Sequence, residues 1–248
     1  MNPLNHPLEA FLRDLVANSL LGEGDQAAIL GLPFRVRRLD AGSYLIREGS
    51  LPSHCAVLMH GYAYRQKTTG NGARQILAVC IPGDAVDLQN IFLEVSDHSV
   101  QMLTVGTVAD LSREPLQQLV LARPAVARAI IQLTLVESSI MREWVVNVGR
   151  RDARQRIAHI LCEFAVRLES RGLAGDHGFE LPMTQEQLAD ATGLTSVHVN
   201  RVLQALQREG LIERNRRMVQ FVSWERMRDV ADFNPRYLHM REAGPSLT

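Results

Sequence analysis

A chain of 248 residues can bury one large or two medium cores, and 27 basic against 27 acidic side chains leave no formal net charge, which excludes a generic polyanion binder. The balance conceals an asymmetry: residues 1–149 carry 12 basic and 14 acidic groups, whereas residues 150–228 carry 13 arginines against 10 acids, so the positive excess lies in the C-terminal part. No stretch approaches the length needed to cross a bilayer and the opening M-N-P-L-N-H-P-L-E-A has no basic-then-apolar pattern, so a soluble cytoplasmic protein without membrane contacts is expected.

From about Leu32 to Leu121 the chain is a succession of short runs: F-R-V-R-R-L, S-Y-L-I-R-E, H-C-A-V-L-M, Y-A-Y-R-Q-K and R-Q-I-L-A-V-C. They are separated by D-A-G, G-S, H-G, T-T-G-N-G and P-G-D. Strands of about five or six residues joined by glycine-containing turns predict an all-β barrel or jelly roll. The clearest hairpin loop is T-T-G-N-G, between Lys67 and Ala73. After Pro124 the pattern turns helical, with no proline and only Gly149 as a glycine between Ala125 and Arg171. Ile130, Leu133, Ile140 and Trp144 fall near heptad spacing and make an apolar stripe that needs a partner, either the β domain of the same chain or a second copy. Gly149 reads as a hinge, with Arg150-Arg151-Asp152 opening a second helix through about Leu168.

The third segment starts near Asp176 with the strand-like F-E-L-P-M and reaches Q-E-Q-L-A-D-A-T-G-L-T-S-V-H-V-N-R-V-L-Q at Gln185–Gln204. That is a helix-turn-helix pattern. Ala189 is small where two helices would cross, Gly193 sits where the turn needs a left-handed backbone, and Leu188, Leu194, Val199 and Val202 supply the apolar contacts. Thr184 and Gln187 form a capping box before the first helix, and Thr195 can cap the second. Then L-I-E-R-N-R-R-M-V-Q-F-V-S reads as a hairpin turning near Asn215, a wing whose Arg214, Arg216 and Arg217 would meet phosphates while Trp224 packs the domain. A helix-turn-helix with a wing implies double-stranded DNA as partner, and such proteins commonly bind two half-sites as two-fold dimers. That favours a second copy as the occupant of the long helix's stripe, with Ile130, Leu133, Ile140 and Trp144 at the interface.

In this order, β barrel, long helix and winged helix-turn-helix resemble the Crp/Fnr family of bacterial transcription regulators over roughly Pro33 to Val222. The resemblance rests on A-G-S-Y-L-I-R-E-G, His60-Gly61, the hairpin glycines, Pro82-Gly83-Asp84 and the helix T-S-V-H-V-N-R-V-L-Q-A-L. The fold expected is α+β. An N-terminal helical segment and β-roll sensor occupy residues 1–121, a long dimerisation helix residues 122–149, a winged helix-turn-helix residues 150–230 and a tail residues 231–248. The resemblance implies a homodimer on a palindromic promoter site that works with RNA polymerase and has no enzymatic activity. Arg201 matches the family's DNA-contacting arginine.

Departures from the family's pattern bear on the signal. Cyclic-nucleotide-binding members carry Gly-Glu and later Arg-Ser or Arg-Thr where this chain has Asp87-Leu88 and His98-Ser99. Asp87, Leu88, His98 and Ser99 are therefore the candidate sensor pocket. A buried phosphate there would lose a charge-assisted contact worth about 1.5–3 kcal/mol, so cAMP and cGMP are not expected as effectors, and an unknown small-molecule effector takes their place. Cys55, Cys80 and Cys162 are odd in number, far apart and not in C-x-x-C spacing, so they suggest neither a disulfide framework nor a zinc site, and cannot supply an N-terminal iron–sulfur set. No cofactor and no metal is expected. The alternatives are haem on His6, His54, His60 or His98, redox control through the cysteines, a constitutive regulator with a vestigial sensor, and, more remotely, a jelly-roll metal enzyme, for which the histidine spacing is wrong.

On the second helix Thr195, Ser196, Val197, His198, Asn200 and Arg201 would face DNA. Arg201 suits guanine O6 and N7, Asn200 suits adenine, and Val197 suits a thymine methyl. Ser196 and Val197 replace the family's familiar Arg-Glu pair, so a different operator is expected.

Overall fold

The computed structural model describes residues 6–174 and 178–240. Their Cα positions cluster into two compact units, one of residues 6–67, 79–139 and 238–240, the other of residues 68–78, 140–174 and 178–237.

Two short helices, α1 (Glu9–Asn18) and α2 (Glu23–Leu30), precede the barrel strands β1 (Phe34–Leu39), β2 (Tyr44–Ile46), β3 (His54–His60), β4 (Ala63–Thr68), β5 (Arg74–Cys80), β6 (Ala85–Val86), β7 (Ser99–Met102) and β8 (Gly106–Ser112). They form two four-stranded sheets of order β1-β8-β3-β6 and β2-β7-β4-β5. Alternation along β3 explains how one strand serves two layers. Cys55 and Val57 enter a core with Leu8, Phe11, Leu15, Ile29, Leu111 and Leu116, while Ala56 and Leu58 enter a second core with Ala63, Cys80, Val100, Met102 and Val108. Where β3 turns into β4 the backbones nearly touch. Gly61 has φ +81°, and a Cβ there would lie 2.5 Å from the Val105 carbonyl oxygen and 2.8 Å from Gly106 Cα, so only glycine fits. The T-T-G-N-G loop closes as a hairpin through Thr69 N–H to Ala73 O, 2.9 Å.

The expected barrel ends earlier than the sequence suggests. Arg113–Ala122 is a helix, α3, with Pro115 in its first turn, where its missing N–H costs nothing, and with Leu116 and Val120 buried one turn apart. The long helix α4 follows at Pro124–Arg150 and runs through Gly149 without a break. The break comes just after, at Arg151-Asp152, where the Asp152 carboxylate caps α5 (Ala153–Ser170) by accepting from Gln155 N–H while Gln155 Oε1 accepts from Asp152 N–H.

The second unit continues with β9 (Gly178–Glu180), α6 (Gln185–Thr192), α7 (Ser196–Arg208), β10 (Ile212–Asn215), β11 (Met218–Phe221) and α8 (Trp224–Ala231). The wing sheet has the order β10-β11-β9. A file of aromatic rings, Phe164, Phe179, Phe221, Trp224 and Phe233, with neighbouring centroids 5.4–6.0 Å apart, fills its interior, which places Trp224 in packing as expected. Under these rings a polar knot is enclosed. The Trp144 indole N–H donates to Glu163, 3.1 Å from each carboxylate oxygen, and the Tyr237 hydroxyl donates to Oε2 at 2.8 Å. Of the tail expected at 231–248, residues 241–248 lie outside the described residues.

Candidate nucleic-acid interface and barrel site

The helix-turn-helix is built by local rules. Thr184 Oγ1 accepts from Gln187 N–H (3.2 Å) and Gln187 Oε1 accepts from Thr184 N–H (2.8 Å). α6 stops at Gly193, φ +65°, and Leu194 N–H returns to the Ala189 carbonyl at 3.1 Å. Thr195 Oγ1 then accepts from His198 N–H at 3.2 Å to start α7. On α7 the residues Val199, Val202, Leu203 and Leu206 are buried, which turns Thr195, Ser196, Val197, His198 and Arg201 outward to solvent. Val197 is 61% exposed. Asn200 is half-buried and accepts from Gln185 Nε2 at 3.1 Å, so part of its hydrogen-bonding capacity is committed inside the pair of helices.

At the wing, Arg216 and Arg217 form the two-residue loop between the paired Asn215 and Met218. Both are exposed, and Arg216 adopts φ +55°. Arg214 differs from the expectation. It is half-buried in β10, its Nε is enclosed without a partner, and burial lowers its pKa. Arg216 and Arg217 are thus the exposed cations of the wing tip.

The row expected at a dimer interface is largely buried within the chain. Ile130 is 5% exposed within the barrel unit's core and Leu133 packs against the same core, while Trp144 is 5% exposed on Glu163 and Ile140 is half-buried. That row is spent within the single chain. The neighbouring row is open: Ile131, Leu135, Ser138, Arg142, Val145 and Gly149 are all exposed, at alternating spacings of four and three residues. That is the a/d spacing of a coiled-coil seam, with apolar side chains at Ile131, Leu135 and Val145. A one-residue offset rotates a helix face by about 100°, so spacing alone could not choose between the two rows.

In the barrel, Asp87 and His98 of the expected sensor pocket meet each other, and Arg65, unmarked by any motif, joins them. Asp87 Oδ1 accepts from Arg65 Nε at 3.0 Å and from His98 Nε2 at 3.0 Å. His98 Nδ1 meets Asp97 Oδ1 at 2.7 Å, and Arg65 Nη2 donates to Glu137 of α4 at 2.9 Å. Burial opposes charge on Asp87, but the His98 bond and the Arg65 charge outweigh it and hold the carboxyl below its ordinary range. Burial likewise opposes the charged His98, and Asp87 and Asp97 overcome it, raising its pKa. Leu88 is a core residue, and Ser99 Oγ accepts from Glu48 N–H at 2.9 Å.

Two of the thiols border this network, Cys55 Sγ donating to the Asp87 carbonyl at 3.6 Å and Cys80 feeling the Arg65 charge. Burial pushes Cys55 and Cys80 up to about 12 and raises Cys162 as well. Among the described residues no three His, Cys, Asp or Glu side chains converge as a metal-ligand set, and no single helix is long and apolar enough to cross a membrane.

Comparison with known proteins bears on this arrangement. Residues 155–230 match the Crp-like helix-turn-helix domain and residues 36–123 the cyclic nucleotide-binding domain. The transcriptional activator protein FnrL of Cereibacter sphaeroides is 31% identical over 179 residues, covering 71% of each chain. The chain belongs to the Crp/Fnr family of transcription regulators. The nitrogen fixation regulation protein FixK of Bradyrhizobium diazoefficiens is 28% identical over 69% of this chain and 71% of its own. Among solved structures, FixK2 from Bradyrhizobium japonicum superimposes with a TM-score of 0.73 at 20% identity, over 80% of this chain and 98% of that one. The c-di-GMP responsive regulator CLP of Xanthomonas campestris gives 0.64 at 20% identity, over 81% and 99%. A Crp/Fnr regulator therefore carries this α+β fold, with a helix-turn-helix for DNA.

Proposed function

We propose that this Crp/Fnr regulator binds a palindromic promoter site as a homodimer and activates transcription with RNA polymerase in the cytoplasm. The observation that carries the reading is the face of α7. Four apolar residues anchor it inward while Ser196, Val197, His198 and Arg201 project from its N-terminal half, the part of a recognition helix that meets base edges. Arg201 is the base-reading cation, for guanine O6 and N7, Val197 meets a thymine methyl, and Arg216 and Arg217 hold phosphates at the wing. Dimerisation uses the open seam Ile131–Leu135–Ser138–Arg142–Val145–Gly149. Activation is supported by the similarity to FnrL, a transcriptional activator protein.

Neither cAMP nor haem nor an iron–sulfur cluster is the proposed signal. Asp87 stands in the barrel where an anion would be repelled, both ring nitrogens of His98 are engaged by carboxylates, and the three cysteines are buried and scattered. Selection of bound genomic DNA from the protein purified without additives tests this reading. The expected product is a two-fold sequence with half-sites about one helical turn apart. Recovery of fragments with no common sequence, at an affinity set only by salt, would refute it.

A further inference from the structure

The network around Asp87 is built unlike an ordinary ion pair. Asp87 is fully buried, adopts the left-handed conformation (φ +57°), and its Oδ2 has no hydrogen-bond partner. A non-glycine residue held so, with one carboxylate oxygen enclosed and unsatisfied, persists only where its surroundings over-determine it. Here the surroundings are two cations converging on Oδ1, the Arg65 guanidinium from β4 and the His98 ring from the loop just before β7. His98 sits between two carboxylates, and an ionised carboxylate only accepts. Both ring nitrogens must therefore donate, which makes His98 an imidazolium. Arg65 spans from this carboxylate to Glu137 on α4, so the same guanidinium ties the barrel to the helix that carries the open seam.

We infer that Arg65 and His98 form an anion site that the chain fills with its own Asp87 carboxylate, and that this internal anion locks α4 to the barrel without an external ligand. A tethered carboxylate acts at a high effective concentration, so free anions do not displace it, and the barrel stays in its occupied state at all effector concentrations. The charged groups facing His98 are Asp87 from the loop after β6, Asp97 from its own loop and, at longer range, Arg65 from β4. Lys67 acts on the Asp97 side, donating to its carbonyl at 2.6 Å. The inference concerns the barrel alone and stands apart from the reading of DNA by α7.

The test is to remove the internal anion and supply it from solution. Asp87→Gly suits the left-handed backbone and removes a side chain that acetate replaces. In the full-length protein Asp87→Gly is expected to melt at a lower temperature than wild type and to recover in a saturable manner with sodium acetate, but not with sodium chloride at matched ionic strength. Wild type should show no such response, and Asp87→Gly with Arg65→Met should not recover. In the absence of acetate, α4 amides near Glu137 should exchange on the order of tenfold faster than in wild type. Equal responses to acetate in wild type and Asp87→Gly, or an Asp87→Gly protein as stable as wild type, would overturn the inference. Should Asp87→Gly not fold, nitrogen-15 spectra of wild-type His98 decide: protonation of both ring nitrogens at pH 7 supports the site, and a neutral ring refutes it.

Discussion

Leu135→Ala separates the open seam from the buried row beside it. In the single chain Leu135 keeps 60% of its surface, as do Ile131 (58%) and Val145 (62%), so truncation removes little that the monomer uses. In a two-fold dimer the seam is covered, and three carbons worth about 0.8 kcal/mol each when buried are lost from each copy. Scaled to the surface still open, that is about 1.4 kcal/mol per copy and about 3 kcal/mol per dimer, an increase in dimer dissociation constant on the order of 100-fold. Ile130→Ala, in the buried row, should do the reverse. It opens a cavity in the barrel core and costs about 2–5 kcal/mol of folding stability, with only a secondary effect on association. Sedimentation equilibrium across a concentration series gives the first quantity, and urea unfolding at a fixed low concentration gives the second, since dimer stability depends on concentration. A Leu135→Ala dimer as tight as wild type, or an Ile130→Ala protein that loses association while keeping its stability, would show that the sequence-derived row is the seam after all.

Three further outcomes follow from the geometry. Arg201→Ala should cost about 1–3 kcal/mol of operator affinity and relax selectivity at one base pair per half-site, whereas Arg216→Ala should weaken all sequences alike and lower the salt slope by roughly one; competition binding on single-base operator variants distinguishes the two. The contribution of His98 has a definite sign: its pKa is raised on folding, so its stabilisation is complete below the unfolded value near 6.5 and is lost as pH rises through the higher folded value, while the lowered Asp87 contributes above about 3.9 and is lost as pH falls through its folded value. Urea midpoints between pH 5 and 9 should therefore fall more steeply on the alkaline side for wild type than for His98→Gln, and parallel profiles would count against the pairing. Cys55, Cys80 and Cys162 are each at most 1% exposed and carry raised pKa values, so a disulfide reagent at pH 8 should react with none of them rapidly in the native protein and with all three in denaturant.

What could be read from the sequence was set by how local each cause is. The helix-turn-helix was legible nearly to the residue because its caps, its left-handed glycine and its apolar positions lie within twenty residues of one another. The T-T-G-N-G hairpin and the wing turn were legible for the same reason. α3 was missed at the end of the strand runs, since R-E-P-L-Q-Q-L-V-L-A carries a proline that reads as a breaker unless it is placed in a first turn. α8, though headed by the capping Ser223, lay beyond the hairpin that ended the pattern. Arg65 had no signal at all. It sits in a strand with nothing special beside it, and its partners are 22 and 72 residues away, so only the folded sheets bring them together. Asp87 was noticed as a substitution in a sensor position, but its bond to His98 depended on the pairing of β7 with β4, which fixes where the end of β7 falls.

The long helix shows why the same apolar count admits two assignments. α4 has to satisfy two demands at once: one row, from Val126 through Ile130 to Trp144, is consumed by its own chain, and a second row is left over. A helix apolar on a single stripe would have packed on the barrel and stopped there. The extra stripe has no use in a monomer, where exposed Ile131, Leu135, Val145 and Val146 only invite association, so its presence argues for a second copy more strongly than the heptad spacing alone. Glu137 lies between Leu135 and Ser138 of that stripe yet points to Arg65. The charge network of the barrel and the proposed seam thus share one turn of helix, and a shift of Arg65 that released Glu137 should be felt in the packing of that seam.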